Sequence, residues 1–263
     1  MVELTNSVKD KLARGELALG AGLRQARTVD IAKAMKTAGF DWLFIDMEHN
    51  AMGIDIATQI AVAAQDTGIT PLIRVPGFEH HHAARALDCG AQGVVFPHVD
   101  DAETAARLAS YCLYPPAGKR SMTGVLPQLD FAKHPLGPMA KALNKALITV
   151  MMIESPEGVA NAHEIAAIPG VDVLLVGTND LCFEMGIPGA FDSPKVAEAF
   201  ETVIAACKAS GKTPGIGGVY APELARKYID MGMRFILSGN DLAFMMNGAT
   251  AQANALRSTG SRA

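Results

Sequence analysis

Ile148-Thr-Val-Met-Met-Ile-Glu-Ser-Pro-Glu-Gly158 is the stretch whose reading decides the fold. Apolar and β-branched residues run without a polar break into Glu154, and Ser155-Pro156 then opens a helix. Such a run reads as a strand buried on both faces, as in a parallel sheet covered by helices. Ser suits the N-cap, and Pro suits the first helical position, where its missing N–H costs nothing. Glu154 therefore stands at the C-terminal tip of a central strand. The pattern returns at once. Val171-Asp-Val-Leu-Leu-Val-Gly177 is a second apolar run, and Thr178-Asn179-Asp180 opens the next helix. Glu154 and Asp180 thus share one rim of a parallel sheet, the rim at which such folds bind ligands. Two carboxylates converging there suit a hard divalent cation such as Mg²⁺ or Mn²⁺.

Working outward, six more strands appear. Toward the N-terminus they are Leu17–Leu23, Trp42–Asp46, Thr70–Val75 and Gly93–Pro97; toward the C-terminus, Thr213–Gly218, weakened by glycine, and Phe235–Gly239. Helical spacing fills the gaps: residues 5–14, a segment from Val29 to Ala38 capped by Thr28 and stopped by Gly39, residues 53–66, His80 to Asp88, and helices from Asp101 and Asn240. One connection breaks the rhythm. Between the fourth and fifth strands, from about 98 to 146, lie roughly fifty residues where the other units use about twenty to thirty. Its Tyr114-Pro-Pro-Ala-Gly-Lys-Arg-Ser-Met-Thr-Gly124 reads as loop. Eight strands alternating with helices in 263 residues predict a single-domain (β/α)₈ TIM barrel over 1–263. No GxGxxG follows the first strand, which argues against a doubly wound open sheet. The polar tail 257–263 is expected to fray.

Composition narrows the function classes. Hydrophobic residues at 49% allow a sizeable core, and a net charge of -4 without a basic run argues against nucleic acid as partner. No apolar run approaches a membrane span, and the N-terminus lacks a signal-peptide pattern. Cys89, Cys112, Cys182 and Cys207 form no CxxC or zinc spacing, so reduced thiols in a cytoplasmic protein are expected.

Read in order, the rim gathers chemistry. The second strand ends in Asp46, followed by Glu48 and His49. The third ends in Arg74. The fifth and sixth deliver Glu154 and Asp180. Each residue also has a structural reading. Glu154 and Asp180 could serve a helix N-terminus or pair with Arg74, and Arg74 could bridge to Asp46 or Glu48. A guanidinium at a strand tip can instead receive a carboxylate or a developing oxyanion. His49 is a loop histidine or an acid/base. Asp88 sits near a helix C-terminus, where the dipole disfavours its charge, so a histidine or Arg85 is expected to hold it. Glu79-His80-His81-His82 reads as a solvated helix end, because three successive histidines cannot face one ion. Lys119-Arg120 could grip an anion or line an interface. Gly215-Ile-Gly-Gly218 could admit a substrate to the backbone or fit a tight wall. Met245 and Met246 read as core or subunit packing.

These residues fall within a combination of motifs: Phe40-Asp-Trp-Leu-Phe-Ile-Asp-Met-Glu-His49, Arg74-Val-Pro, Leu87-Asp-Cys-Gly-Ala-Gln-Gly93, Tyr114-Pro-Pro-Ala-Gly-Lys-Arg120, Ile153-Glu-Ser and Val176-Gly-Thr-Asn-Asp-Leu181. From about residue 15 to 250 the chain resembles the class II pyruvate aldolases of the HpcH/HpaI type. The resemblance implies a metal-dependent lyase that cleaves a 4-hydroxy-2-oxo acid to pyruvate and an aldehyde. It implies Glu154 and Asp180 as ligands of Mg²⁺, Mn²⁺ or Co²⁺, and Arg74 at the enolate oxygen. His49, oriented by Asp88, would be the acid/base. The substrate carboxylate would lie against Gly177, Thr178, Asn179 and the start of the following helix. It also implies a homohexamer, a trimer of dimers, with the last helix packed on a partner barrel. Two positions depart from the pattern. Met152 stands where such aldolases usually carry Gln, and Gly177-Thr178 where they carry Gly-Pro. Two other readings stay open: a carbon–carbon lyase acting on an acyl-CoA, for which Lys119-Arg120 would supply the basic residues at the mouth, and a non-catalytic barrel that binds an oxo acid or a partner protein. A phosphate-binding isomerase fits less well, because Asp241 follows the eighth strand where phosphate would sit.

Overall fold

Alternation within each strand sorts its residues into two layers. In β2 (Trp42–Asp46), Trp42 and Phe44 join one buried cluster, and Leu43 and Ile45 join another. The same division runs through β3 (Thr70–Arg74) and β5 (Ile148–Ile153): Leu72, Ile148, Val150 and Met152 point one way, Ile73, Met151 and Ile153 the other. Two apolar faces on every strand require two covers. The sheet supplies one by closing on itself, and helices supply the other.

The computed structural model describes residues 2–260. It is a closed barrel of eight parallel strands in sequence order, completed by β1 (Ala18–Leu23), β4 (Gly93–Phe96), β6 (Val173–Gly177), β7 (Thr213–Gly217) and β8 (Phe235–Asn240). The helices are α1 (Ser7–Ala13), α2 (Ile31–Thr37), α3 (Ile54–Thr67), α4 (His80–Asp88), α5 (Ala102–Cys112), α6 (Leu136–Ala146), α7 (Pro156–Ala160), α8 (Ala162–Ala166), α9 (Thr178–Glu184), α10 (Pro194–Ser210), α11 (Pro222–Met231) and α12 (Asp241–Gly260). The expected (β/α)₈ TIM barrel is therefore the observed fold.

Trp42 dominates the lower interior. It stacks on Phe235 with ring centroids 3.9 Å apart, and its indole N–H donates to the Ala18 carbonyl. Gly20 opposite is glycine because a Cβ there would lie 2.2 Å from that indole. Beneath it α1 plugs the barrel floor. Asn6 caps α1 by accepting from the Lys9 N–H at 3.2 Å and donates to the Ala146 carbonyl at 2.9 Å, while Val8 and Leu12 pack on the inner cluster. With the floor closed, the described residues leave the barrel open at the C-terminal ends of its strands.

Three local expectations change. The helix expected from Val29 begins at Ile31 without a side-chain cap, because residues 28–30 form a turn instead. The tail expected to fray from 257 continues as α12 through Gly260; residues 261–263 lie outside the described residues. The long β4–β5 connection does not bring Lys119-Arg120 to the mouth, where the acyl-CoA reading needs them. It leaves the C-terminal end of α5 and runs along the floor, where the Lys119 and Arg120 N–H groups donate to the Ser110 and Leu113 carbonyls.

Candidate active site

The inward-facing positions beyond the apolar layer are Asp46 on β2, Arg74 on β3, Glu154 just past β5 and Gly177 on β6. A period of two that buries Phe44, Leu72, Met152 and Leu175 necessarily brings the residue two further on to the inner rim. Together with Arg24, His49, Thr178, Asn179, Asp180, Tyr220 and Asn240 they line a cavity of about 250 Å³. Glycines keep that space open: Gly22, Gly177, Gly217, Gly218 and Gly239 all face it.

Glu154 is 2% exposed. Its Oε2 accepts the His98 backbone N–H at 2.8 Å, with the His98 ring Nδ1 3.5 Å away. Burial pushes its carboxyl up to about 7; the His98 N–H and ring pull the other way, and Asp180 adds repulsion. A buried carboxylate with so few donors, facing a second carboxylate, calls for positive charge. The side chain leans across the tip of β6. A Cβ on Gly177 would lie 2.4 Å from Glu154 Oε1 and 2.7 Å from its Cγ, so glycine is required there by space. Gly177→Ala is accordingly expected to displace Glu154 and weaken divalent-cation affinity about tenfold or more while the barrel still folds. Titration of the metal-free variant against the wild type, with circular dichroism as the control, checks this; equal affinities would show that Glu154 does not need this space.

Arg74 is the most constrained group of the site. Its Nε and Nη2 donate to the two Asp46 oxygens at 3.0 and 2.7 Å, its Nη1 lies 2.7 Å from Glu48 Oε2, and its guanidinium covers the Phe44 ring at 4.9 Å. Met152 Sδ stands 4.0 Å from Nη1. Burial acts to raise the Asp46 carboxyl, but the bonds and charge of Arg74, with the Glu48 and His49 N–H groups, hold it below the ordinary range. The structural expectation for Arg74, a bridge to Asp46 or Glu48, is met with both at once. The same network holds the guanidinium fixed at the cavity wall.

The remaining residues divide. His49 lines the cavity, its Nε2 3.7 Å from Glu48 Oε2. Thr178, Asn179 and Asp180 form the first turn of α9, which has no side-chain cap. Asp88 is not with them. It ends α4, at the floor, and accepts from Arg120 Nη2 at 2.6 Å, while that guanidinium covers the Tyr114 ring at 4.4 Å. Within one chain, therefore, Asp88 does not orient His49, and its partner is Arg120 rather than Arg85. The physical reason is direction: a helix that starts at the rim ends at the opposite face of the barrel. The same geometry removes Lys119-Arg120 from the mouth. Arg120 is 6% exposed and committed to Asp88. The histidine run at 80–82 is a helix start with the rings on one another, as expected. Among the described residues no three His, Cys, Asp or Glu side chains cluster as a metal cage. All four cysteines are free, three of them buried.

The sequence reading passed over His98. It follows β4 directly, with φ 49°, a left-handed conformation uncommon for a side-chain-bearing residue, and bridges Glu154 to Glu48, whose Oε1 lies 3.6 Å from Nε2. A position one or two residues past a strand on the active rim is the available signal, the same one that marks Glu48 and His49 after β2 and Asp180 after β6.

Comparison with known proteins bears on the fold and the family. A family model described as HpcH/HpaI aldolase/citrate lyase matches residues 25–248. The chain is 38% identical to 4-hydroxy-4-methyl-2-oxoglutarate aldolase of Hapsidospora irregularis, over 98% of this chain and 97% of the relative. It is 32% identical to 4-hydroxy-2-oxo-heptane-1,7-dioate aldolase of Salmonella paratyphi C, over 95% and 94%. The crystal structure of an HpcH/HpaI aldolase from Desulfitobacterium hafniense superposes with a TM-score of 0.91 at 27% identity, covering 97% of each chain.

Proposed function

The chain belongs to the HpcH/HpaI aldolase/citrate lyase family, and we propose that its rim cavity is the active site of a class II pyruvate aldolase, cleaving a 4-hydroxy-2-oxo acid to pyruvate and an aldehyde. The observation that carries this is Glu154: a carboxylate 2% exposed, at a strand tip, facing Asp180 across a cavity whose fixed cation is Arg74. Two carboxylates without a third protein ligand fit Mg²⁺, Mn²⁺ or Co²⁺, which keep positions for water and substrate oxygens. Glu154 and Asp180 would hold that ion, and when bound it supplies Lewis-acid polarisation of the oxo group.

The chain's own residues account for the rest. The backbone N–H groups of Asn179 and Asp180, in the uncapped first turn of α9 beyond Gly177 and Thr178, would receive the substrate carboxylate. Arg74 would receive the C2 oxygen as charge develops on it during C3–C4 cleavage. His49 would take the proton of the 4-hydroxyl and return it to C3. Among the described residues the cavity is lined by two arginines and no lysine.

The test is pyruvate release from a panel of 4-hydroxy-2-oxo acids by EDTA-treated protein, with Mg²⁺, Mn²⁺ or Co²⁺ added back. Activity that returns with metal is expected. Activity indifferent to metal would refute the roles of Glu154 and Asp180. The acyl-CoA reading loses its support, because the two basic residues it needed lie at the barrel floor.

A homo-oligomer, a trimer of dimers, is part of the same proposal. Met245 and Met246 of α12 are 57% and 53% exposed, apolar surface that a partner barrel would cover. Asp88, remote from the His49 of its own chain, could orient a histidine only across such an interface. No helix of the described residues is long and apolar enough to cross a membrane; with four unpaired thiols, the proposed location is the cytoplasm.

A further inference from the structure

The barrel's order places β1 four strands from β5, so the tip of β1 stands diametrically across the mouth from Glu154. The residue there is Arg24, which lines the same cavity. Its position is built. Asp241 accepts the backbone N–H groups of Arg24, Gln25 and Ala26 at 2.9, 3.0 and 2.7 Å, and Arg27 Nη1 donates to the Arg24 and Ala26 carbonyls at 2.9 Å each. Its charge, by contrast, is hardly used. The nearest carboxylate oxygen, on Asp46, is 3.9 Å from Nε, beyond hydrogen-bond reach. That oxygen already accepts from Arg74 at 2.7 Å, and its neighbour accepts from Arg74 and two backbone N–H groups. Among the described residues the Arg24 guanidinium makes one hydrogen bond, a long one of 3.5 Å to the His49 carbonyl.

A loop fixed by five hydrogen bonds that presents a guanidinium with most of its donors open is pre-organised for an anion. Tyr220, from the loop after β7, lines the same wall and lies close enough for the Arg24 charge to act on its phenol. Arg74 does not serve this end of the cavity: Asp46 and Glu48 hold its guanidinium at β3, and its two remaining N–H groups are the ones offered to the C2 oxygen. A surface arginine with no such task would not need its backbone clamped by a carboxylate 217 residues away in sequence.

We infer that Arg24, with Tyr220 beside it, is the specificity-determining residue for the far end of the substrate, and that the group it receives there is a terminal carboxylate. This rests on the aldolase reading of the cavity: the oxo-acid end is held at β5 and β6, so the aldehyde portion points toward β1. The fork of a guanidinium matches the two oxygens of a carboxylate, and the Tyr220 hydroxyl can donate a third bond.

The experiment uses full-length, metal-loaded protein, as wild type and as Arg24→Gln, Arg24→Lys and Tyr220→Phe. Cleavage is compared for two 4-hydroxy-2-oxo acids of equal chain length, one ending in methyl and one in carboxylate. Binding of 2-oxohexanoate and 2-oxoadipate is measured alongside by calorimetry. The ratio of kcat/KM values, carboxylate over methyl, is expected to collapse by about 10- to 100-fold in Arg24→Gln, the range of a lost charge-assisted bond. Arg24→Lys should recover part of it and Tyr220→Phe should lose less. The preference of the wild type for 2-oxoadipate should vanish in Arg24→Gln. An unchanged ratio, or equal losses on both substrates, would overturn the assignment. Wild type that cleaves neither substrate, yet binds 2-oxoadipate through Arg24, would refute the aldolase reading and leave the anion site standing.

Discussion

Glu154→Gln is expected to lower metal-dependent pyruvate release on the order of a thousandfold, the loss of one of two protein ligands and of several kcal/mol of charge stabilisation. The same substitution is expected to make the metal-free protein more stable above neutral pH. Burial raises the Glu154 carboxyl from its ordinary value of 4.5 to about 7. Between those values the folded protein holds a proton that the unfolded chain releases. The stability it confers is therefore present below about pH 4.5 and is lost as pH rises through about 7. At 1.36 kcal/mol per pH unit, that loss is on the order of 3 kcal/mol. An amide of the same shape does not ionise, so the variant escapes it. Urea unfolding of EDTA-treated protein at pH 5 and pH 8 measures both slopes. Wild type that falls between the two while Glu154→Gln stays level is the expected result. Parallel behaviour would mean that Glu154 is ionised throughout and that the site needs no cation to hold its charge. Because metal binding requires the ionised carboxylate, added Mg²⁺ or Mn²⁺ should restore the wild type at pH 8 and leave the variant unaffected.

An opposite effect on activity and stability is what a carboxylate selected for chemistry should show. It also explains why this residue was legible in the sequence. The run Ile148–Ile153 has nowhere to go but a barrel wall, and a carboxylate ending such a run stands on the rim whether it serves the next helix or the chemistry. Asp46 and Arg74 were legible for the same reason, and their pairing follows from adjacency, since the two are register partners on β2 and β3. The position of His98, just past β4 on the active rim, was legible; its role was not, because that lies in two carboxylates from other strands, Glu48 and Glu154. Asp88 was expected to meet a histidine or Arg85 because the dipole at a helix C-terminus disfavours its charge, and the family motif then named His49; neither argument carries a direction along the barrel axis. The helix of Asp88 runs away from the rim, and the residue that meets it, Arg120, lies 32 positions on in a loop that sequence alone could not place at the floor. Arg24 depends on closure. Only when β8 pairs with β1 does Asp241 reach the loop that carries it, and only then does β1 face β5.

Arg74 separates a structural role from a chemical one most sharply. Arg74→Ala is expected to destabilise the protein by about 3–5 kcal/mol, the range for removing one partner of a buried ion pair, because Asp46, 2% exposed, would lose both side-chain donors. The pH dependence has the opposite sign to that of Glu154. The Asp46 carboxyl is held below its ordinary range in the folded protein, so its contribution is present at neutral pH and is lost as pH falls through the folded value. The stability gap between wild type and Arg74→Ala should therefore be widest at neutral pH and narrow as pH falls. Double replacement, Arg74→Met with Asp46→Leu, removes the buried charge as well as its partner and should recover much of the stability, although Glu48 still loses its ion pair. Activity should not recover with it. A guanidinium at the developing oxyanion is worth about 10²–10³ in kcat, and no apolar pair supplies that. Arg74→Lys keeps the charge but loses the fork that grips both Asp46 oxygens, and it should fall between the two in stability and in kcat. The decisive comparison is kcat per folded molecule in the double variant. A value near that of the wild type would reduce Arg74 to a structural bridge; a loss of a hundredfold or more in a stable barrel would place it at the reacting oxygen.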